Sequence, residues 1–326
     1  MKKRILSGMR PTGPLHIGHL LGALNNWVKL QDEYESFFMV ADWHALMSEY
    51  QKPDTIQENI KGMVIDWLSC GLDPKKCTIF IQSQVPEHLE LAMILSDITP
   101  LSWLERCPTY KEQLREMKKR DLTTYGFLGY PVLQAADILL YKADTVPVGE
   151  DQVAHLELTR EIVRRFNNMY KNILVEPHPL LTKTPRILGL DNRKMSKGYG
   201  NYIALSDSED TIREKIGSMI TDPKRVKKTD KGHPETCNVF SYYKIYDLPV
   251  TKKLKDQCQN AEVGCTKCKE NLAEILIDRL SDIRKKREAL LKDKGAVEGM
   301  LKDGNRKARQ KAYSTIIEVK KAVGMI

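Results

Sequence analysis

The stretch that decides the fold lies near the amino terminus and reads Ser7-Gly8-Met9-Arg10-Pro11-Thr12-Gly13-Pro14-Leu15-His16-Ile17-Gly18-His19-Leu20. A short apolar run precedes it and apolar residues at helical spacing follow it, so it predicts a loop between a strand and a helix. Its glycines let a ligand approach the backbone, and the start of the helix offers unpaired N–H groups to an anion. On its own, the stretch fits either a phosphate-binding loop or a glycine-rich turn with two surface histidines. Its spacing matches neither the P-loop nor the dinucleotide-binding glycine pattern, which argues against a dehydrogenase.

Strand-like runs alternate with helical patterns along the first half of the chain. The apolar runs are Arg4–Ser7, Ser36–Ala41, Thr78–Gln82 and Thr145–Val148. Helical spacing separates them, with apolar residues recurring over 20–28, 56–67 and 153–166. This alternation predicts an α/β fold, a parallel sheet with helices on both faces, and ligand sites at the carboxyl ends of the strands.

Length and composition suggest a globular protein of two domains. The chain has 326 residues, of which 41% are hydrophobic and 29% charged, so it is too apolar for a disordered chain. No stretch approaches the roughly 20 apolar residues that span a bilayer, and no apolar signal core follows the basic amino terminus. We therefore expect a cytoplasmic protein that does not bind a membrane.

The positive charge is concentrated in the second part of the chain. Residues 1–206 carry a net charge of +1 and residues 207–326 a net charge of +8. Residues 180–206 look like a connection, and beyond them helical spacing predicts a long helix over 272–283 and a terminal one over 308–323. This basic helical region favours an anionic partner.

A second basic loop, Arg193-Lys194-Met195-Ser196-Lys197-Gly198, lies in that connection. Alone it fits a solvated charged loop as well as a cationic clamp. Together with His16-Ile17-Gly18-His19, however, it resembles the pair of motifs of the class I aminoacyl-tRNA synthetases. One position departs from the family, because Gly198 stands where serine is common.

That resemblance implies a Rossmann-like nucleotide-binding parallel sheet with a carboxyl-terminal helical domain. The implied division is a catalytic domain over 1–190, the lysine loop and connection over 191–205, and a helical anticodon-binding domain over 206–326. The terminal helix of the last part is free to pack back on the catalytic domain.

Two further segments resemble the tryptophan-specific members, the tryptophanyl-tRNA synthetases. They are Tyr130-Pro131-Val132-Leu133-Gln134-Ala135-Ala136-Asp137-Ile138-Leu139-Leu140-Tyr141, and the run from Val146 to Gln152 followed by His155–Arg160. Asp137 explains how tryptophan would be recognised. An indole N–H is a donor that needs an acceptor, and the Asp137 carboxylate is an acceptor surrounded by apolar residues. A pocket built on such a bond rejects analogues that lack the donor.

A tyrosine-specific enzyme remains an alternative. The spacing of Tyr130, Gln134 and Asp137 also fits the way tyrosine enzymes hold their substrate, and many bacterial tryptophan enzymes have methionine at the position of Gln134. The flanking segments favour tryptophan because they match over far more residues.

The resemblance also implies the reaction and the residues that perform it. L-Tryptophan and ATP form tryptophanyl-adenylate and pyrophosphate, and tryptophan then passes to tRNA(Trp), with Mg²⁺ sharing the phosphate charge. The implied catalytic residues are His16, His19, Lys194 and Lys197. The implied ATP-binding residues are Arg10, Pro11, Thr12, Gly18, His19, Gly149, Glu150, Asp151, Ile187, Lys194, Met195, Ser196, Lys197 and Gly198. The implied tryptophan-binding residues are Leu6, His44, Tyr130, Gln134, Asp137, Val146, Val148 and Gln152, with Asp42 beside His44.

Four of the seven cysteines crowd together as Cys237, Cys258, Cys265 and Cys268. Four thiolates suit tetrahedral zinc or a [4Fe–4S] cluster, and spacing alone does not separate these from unrelated buried thiols. The resemblance favours the cluster, with zinc second. A minority of tryptophanyl-tRNA synthetases, a bacterial iron–sulfur-containing subtype, share the last two gaps and have a first gap two residues longer. We expect a role in structure or anticodon recognition.

Three functional hypotheses follow. The first is a tryptophan–tRNA ligase, the second a tyrosine–tRNA ligase, and the third a nucleic-acid-binding or redox-sensing protein on an inactive synthetase scaffold. Retention of both phosphate loops argues against the third. The resembled family forms homodimers, and the segment Ser96–Trp103 offers apolar surface for an interface.

Overall fold

Five parallel strands form one sheet in the part of the chain that the structure describes. This computed structural model describes residues 2–108, 110–111, 122–149, 152–181, 187–246 and 248–326, without the side chain at position 294. The strands are β1 (Arg4–Met9), β2 (Glu35–Val40), β3 (Cys77–Ile81), β4 (Thr145–Val148) and β5 (His178–Leu181). All neighbouring pairs run parallel, in the order β3-β2-β1-β4-β5. The predicted parallel sheet is therefore confirmed.

The strand order reverses beside β1. From β1 the chain first builds β2 and β3 on one side and later β4 and β5 on the other. Such a reversal opens a crevice at the carboxyl ends of the strands, where ligands of α/β folds bind. Strand β5 was missing from the sequence prediction because it is short and contains Pro179, which an edge strand tolerates.

The chain divides into two compact units. The sheet unit comprises Met1–Gly13, Asn25–Lys183 and Lys292–Ile326, and the helical unit comprises Pro14–Leu24 and Thr184–Leu291. The helices of the sheet unit are Asn25–Glu33, Asp42–Glu49, Ile56–Ser69, Glu87–Ile98, Leu101–Glu105, Tyr125–Leu128, Tyr130–Leu140, Val153–Met169 and Lys294–Ala322, with 3₁₀ turns at Pro53–Thr55 and Gln82–Gln84. No described helix is long and apolar enough to cross a membrane.

The helical unit begins at Pro14, within the glycine-rich stretch, and contains the four clustered cysteines. Its helices are Ile17–His19, which continues as a π-helical segment over Leu20–Leu24, then Glu209–Gly217, Asn238–Ile245, Thr251–Gln259 and Cys265–Lys292, with 3₁₀ turns at Lys197–Tyr199 and Pro234–Thr236. A π-helical segment is rare and is found mostly at functional sites.

One helix lies at the centre of the sheet unit. In the helix Tyr130–Leu140, every residue except Gln134 is buried. It packs against the helices Glu87–Ile98 and Val153–Met169 in one hydrophobic core. Asp137 projects from this helix and is only 2% exposed, so the sequence places a carboxylate inside an apolar layer.

The terminal helix Lys294–Ala322 belongs to the sheet unit and covers the edge strand β3. Asn305 Oδ1 accepts a hydrogen bond from the backbone N–H of Ile81 at 2.9 Å, which satisfies a donor that the sheet leaves open. The helix approaches so closely that a Cβ at Gly304 would overlap the carbonyl oxygen of Ile79. Glycine at position 304 therefore allows the contact between helix and strand.

We predict that Gly304→Ala destabilises the protein by about 1–3 kcal/mol, because the added methyl group has to push the helix off β3. Gly299→Ala is the matched control. It lies in the same helix, its added Cβ meets nothing within 4 Å, and we expect a gain of about 0.5–1 kcal/mol from helix propensity. Thermal unfolding followed by circular dichroism measures both. Equal stability of the two variants would contradict the close packing.

Candidate active site

The two predicted phosphate loops lie side by side within the helical unit. The backbone N–H of Ile17 donates to Ile203 O at 3.1 Å, and that of Leu205 donates to Leu15 O at 2.9 Å. A Cβ built on Gly18 would stand 2.8 Å from the His16 ring and 3.6 Å from Met195 Sδ. Glycine at position 18 therefore leaves room for the His16 ring, and the lysine loop, about 175 residues later in the sequence, lies within ordinary contact distance.

Asn201 and Asp191 shape the lysine loop, and sequence reasoning missed both. Asn201 Oδ1 accepts from Ser196 N at 2.9 Å, while its Nδ2 donates to Asp191 Oδ1 at 2.6 Å and to Lys194 O at 3.2 Å. Burial pushes the pKa of Asp191 upward, but the hydrogen bonds from Asn201 and Arg193 outweigh it and lower the pKa to about 2. Asp191 is therefore ionised at neutral pH and anchors the loop.

The rest of the lysine loop forms a short turn that leaves its two lysines at least partly exposed. Ser196 Oγ accepts from Gly198 N at 3.2 Å and begins a short turn that ends at Gly200, whose φ is +64°. The Lys194 side chain is exposed, and Lys197 is half-buried beside the two histidines. Met195 is buried, and its N–H donates to Ile187 O at 3.1 Å, so Ile187 is tied to the loop as well.

His16 and His19 are held as neutral hydrogen-bond donors. His16 Nδ1 accepts from Gly18 N at 3.1 Å, and His19 Nδ1 accepts from His16 N at 3.2 Å. An imidazole that accepts at Nδ1 carries its proton on Nε2. Burial, and then the Lys197 charge, lower the pKa of His16 to about 4. Burial, His16 and Lys197 lower the pKa of His19 well below its usual value. Both rings therefore offer an Nε2–H without carrying charge.

Asp137 is surrounded by donors from three other segments of the sheet unit. Its Oδ1 accepts from Gln82 Nε2 at 2.7 Å and pairs with His88 Nδ1 at 2.6 Å, while its Oδ2 pairs with His44 Nε2 at 2.8 Å. Burial would raise the pKa of Asp137, but the hydrogen bonds from His44 and His88 lower it below the usual value. The carboxylate is therefore ionised, as a group that accepts an N–H donor has to be.

Gln82, His88 and Tyr141 were absent from the sequence prediction of this site. His88 Nε2 contacts the Tyr141 hydroxyl at 2.8 Å, and both side chains are fully buried. Polar side chains directly after a strand were the signal for Gln82, whereas nothing local marked the other two. Asp42, expected beside the pocket, accepts instead from Ser83 N at 2.9 Å and so links the segments that follow β2 and β3.

The remaining residues predicted to bind tryptophan lie in the same unit. Tyr130 is buried, and its hydroxyl contacts His155 Nε2 at 2.6 Å. Gln134 is half-buried and Gln152 is exposed. The three apolar residues expected to form pocket walls are buried in the core of the sheet unit: Leu6, Val146 and Val148.

Residues expected to contact ATP occur in both units. In the sheet unit, Pro11 is buried, and Thr12 N donates to Arg10 O at 2.9 Å in a turn after β1. Gly149 follows β4, whereas Glu150 and Asp151 lie outside the described residues.

The four clustered cysteines line one cavity in the helical unit. Cys237, Cys258, Cys265 and Cys268 share it with Arg225 and with apolar residues such as Phe240 and Leu254. Burial, and then the neighbouring thiols, raise the pKa of Cys268 to about 12. Among the described residues, no group of three or more histidine, cysteine or carboxylate side chains has the geometry of a metal-ion site.

Comparisons with known proteins identify the family. The chain matches the model of a family described as tRNA synthetases class I (W and Y) over residues 1–281. A tryptophan–tRNA ligase from Thermotoga maritima is 49% identical over 326 residues, 99% of each chain. One from Aquifex aeolicus is 42% identical over 393 residues, covering 99% of this chain and 100% of the relative.

Solved structures point the same way. A crystal structure of tryptophanyl-tRNA synthetase from Campylobacter jejuni complexed with ADP and tryptophan has a TM-score of 0.90 at 33% identity, covering 98% of this chain and 99% of that one. A tyrosyl-tRNA synthetase from Archaeoglobus fulgidus has a TM-score of 0.67 at 22% identity, covering 88% and 90% of the two chains, and shows a likeness of fold alone.

We predict that His16 titrates near pH 4 and that Lys197→Met raises this midpoint, because the variant removes a repelling positive charge. NMR titration of ¹⁵N-histidine-labelled protein measures the midpoint, with the exposed Lys171→Met as control. Since the unfolded state binds this proton more readily, stability should also fall as the pH drops from about 6.5 toward 4. An ordinary midpoint near 6.5 would contradict the buried neutral ring.

Proposed function

Because the chain belongs to the class I tRNA synthetases for tryptophan and tyrosine, we propose that the two loops bind ATP and that the Asp137 carboxylate binds tryptophan. The chain is a tryptophan–tRNA ligase, as its full-length likeness to such enzymes indicates. It joins L-tryptophan to ATP as tryptophanyl-adenylate with release of pyrophosphate, and then transfers tryptophan to the 3′ end of tRNA(Trp).

In the first step, an oxygen of the tryptophan carboxylate attacks the α-phosphorus of ATP. A new O–P bond forms, the bond from the α-phosphorus to the bridging oxygen breaks, and pyrophosphate leaves with the electron pair. The Nε2–H groups of His16 and His19 donate to phosphate oxygens, while Lys194 and Lys197 neutralise the charge on the leaving pyrophosphate together with Mg²⁺. Donors fixed in advance stabilise charge that grows in the transition state.

The remaining ATP contacts position the nucleotide. We assign Arg10, Pro11, Thr12 and Gly18 to the triphosphate side, with Met195, Ser196 and Gly198 shaping the lysine loop. Ile187 packs near the adenine, and the segment Gly149–Asp151 binds the ribose and adenine side. Positioning of this kind supplies much of the rate enhancement where the protein forms no covalent bond to substrate.

In the second step, a hydroxyl of the terminal ribose of the tRNA attacks the carbonyl carbon of the adenylate. An ester bond forms, the mixed anhydride breaks, AMP leaves and the hydroxyl proton is released. We propose that the basic region 206–326 binds the anticodon part of this tRNA, since residues 207–326 carry a net charge of +8.

The buried Asp137 carboxylate is the single observation that carries the assignment of the amino-acid site. It lies at the carboxyl side of the sheet, is ionised, and sits among apolar residues of its own helix. Tyr130, Gln134 and Gln152 are proposed to hold the substrate amine, while Leu6, Val146 and Val148 form apolar walls. Tyrosine is the less favoured substrate, because the relatives that are 42–49% identical over 99% of this chain are tryptophan–tRNA ligases.

We further propose that the enzyme is a cytoplasmic homodimer. Leu101, in the segment Ser96–Trp103, is 62% exposed and Met93 on the preceding helix is 61% exposed. Exposed apolar residues that lie together are a common feature of protein–protein interfaces.

For the cysteine cavity we propose a [4Fe–4S] cluster, which places the chain in the iron–sulfur subtype, with zinc as the second candidate. The support is that all four thiols line one cavity, and that four thiolates suit either group. Iron binding would also have to displace the thiol protons, and the pKa of Cys268 is raised. Incorporation of the cluster therefore depends on pH.

Arg225 gives this cavity a fixed positive charge. Its Nη1 donates to Val263 O at 2.8 Å, its Nη2 donates to Lys228 O at 2.9 Å, and Nη1 lies 3.9 Å from Cys258 Sγ. Four thiolates leave such a site with net negative charge, so the guanidinium is well placed to balance it. The group when bound would tie together the segments that carry its four ligands, which is a structural role and no step of the reaction.

ATP–pyrophosphate exchange with each of the twenty amino acids tests the proposed function. We expect exchange with tryptophan alone, and we expect Asp137→Asn to lower kcat/KM for tryptophan at least about a hundredfold, because a buried charged acceptor is lost. Asp54→Asn, at an exposed carboxylate, is the control. Exchange with tyrosine, or none with any amino acid while tRNA still binds, would refute the assignment.

Anaerobic purification with iron, sulfide and zinc analysis tests the cluster. We expect about four irons per chain and a broad visible absorption band, both lost in Cys265→Ser and kept in Cys70→Ser. Cys70 is the matched control because it lies in the sheet unit, away from the cavity. Stoichiometric zinc without iron, or a metal content unchanged in Cys265→Ser, would overturn the proposal.

A further inference from the structure

The two oxygens of Asp137 differ in how the protein occupies them. A carboxylate has about four acceptor sites, two on each oxygen. Oδ1 uses both, on Gln82 Nε2 and His88 Nδ1, whereas Oδ2 uses one, on His44 Nε2. Within the described residues, the remaining acceptor site of this buried carboxylate is therefore on Oδ2, which leaves room for one more N–H donor.

The partners of Oδ1 are also more deeply buried than the partner of Oδ2. Gln82 and His88 are both 0% exposed, while the His44 side chain on Oδ2 is 11% exposed. The two fully buried donors hold Oδ1 in place. The more accessible oxygen, Oδ2, is the one with the unused acceptor site.

Tyr141 orients His88. The Tyr141 hydroxyl lies 2.8 Å from His88 Nε2, and burial keeps the pKa of this tyrosine well above its usual value, so the hydroxyl retains its proton. When it donates that proton to Nε2, the ring proton of a neutral His88 must sit on Nδ1, the nitrogen that faces Asp137. Tyr141 thus selects the tautomer that can donate to Oδ1.

Aromatic packing fixes both members of this pair. Phe80 stacks on His88 with centroids 6.0 Å apart and planes 25° apart, and it also contacts Tyr141 at 5.3 Å. Phe37 packs on the Tyr141 ring, with the two centroids 4.8 Å apart. Because β2 and β3 supply these two phenylalanines, the orientation of the pair is set by the sheet.

We propose that His88 and Tyr141 are positioning residues that aim the Asp137 carboxylate, so that Oδ2 accepts the indole N–H and the enzyme rejects isosteres lacking that donor. This inference rests on the proposed tryptophan site. It adds that specificity depends on two buried side chains behind Asp137, neither of which needs to touch the substrate.

The test compares tryptophan with β-(3-benzothienyl)alanine, in which sulfur replaces the indole N–H, in ATP–pyrophosphate exchange. The readout is kcat/KM for tryptophan divided by kcat/KM for the analogue. A purely structural defect lowers both values and therefore leaves this ratio unchanged. Tyr141→Phe should reduce the ratio about tenfold, mainly through a higher KM for tryptophan, as expected for loss of one hydrogen bond. His88→Leu, which removes the donor itself, should reduce it about a hundredfold.

Two variants control the interpretation. His88→Asn keeps an N–H donor near the position of Nδ1 and should retain the ratio within about threefold of the wild-type value, the scatter expected for a preserved hydrogen bond. Tyr313→Phe, at a tyrosine that is 58% exposed, should leave it unchanged. If His88→Leu does not fold, Tyr141→Phe and His88→Asn still decide the question.

The possible failures are distinguishable. Absence of tryptophan-dependent exchange in the wild-type enzyme would refute the proposed function. Normal exchange in the wild type, with a ratio unchanged in Tyr141→Phe and in every folded His88 variant, would refute only the positioning role. An equal loss for both amino acids would likewise overturn it, since that result indicates general damage.

Discussion

An ionised carboxylate inside an apolar core requires hydrogen-bond donors, and in this molecule Asp137 imposes that requirement on the sheet unit. A buried charge without partners costs several kcal/mol, so the donors have to arrive together with the fold. They come from three places: His44 in the helix after β2, Gln82 in the turn after β3, and His88 in the helix that follows. The carboxylate proposed to recognise the substrate is thus also the group that joins the carboxyl ends of two strands to the helix Tyr130–Leu140.

In the two loops proposed to bind the nucleotide, the two histidines are neutral, in contrast to the ionised Asp137. Asp137 stays charged because donors surround it, whereas His16 and His19 stay neutral because burial and Lys197 oppose protonation. In the proposed reaction, the neutral Nε2–H groups therefore supply directional hydrogen bonds and the lysines supply charge. Two neutral imidazoles also avoid crowding four cations at one place before the triphosphate binds.

Much of this arrangement was predictable from the sequence. Apolar runs indicated four of the five strands, and the apolar neighbours of Asp137 marked it as a buried carboxylate. The two loops were recognised by their motifs, and the structure places them side by side through the backbone hydrogen bonds of Ile17 and Leu205. Local pattern was sufficient in these cases because each signal is contained within a few residues.

What local pattern missed depends on contacts between distant segments. Strand β5 contains a proline and is short, so it has too little alternation to detect. His88 and Gln82 lie 49 and 55 residues from Asp137 in the chain, and an isolated histidine or glutamine gives no sign of its partner. The same holds for Asn201, whose importance comes from three bonds within the lysine loop. The iron–sulfur identity of the cysteine cavity remains a prediction.

The proposed tryptophan site depends on an ionised Asp137, held from behind by His88, that accepts the indole N–H. A crystal structure of this protein with L-tryptophan tests this most directly. We expect the indole nitrogen within hydrogen-bond distance of Asp137 Oδ2, about 2.7–3.2 Å, while Oδ1 keeps its bonds to Gln82 and His88. An indole nitrogen bonded to another group, or a carboxylate that rotates away from His88 to reach it, would contradict this arrangement.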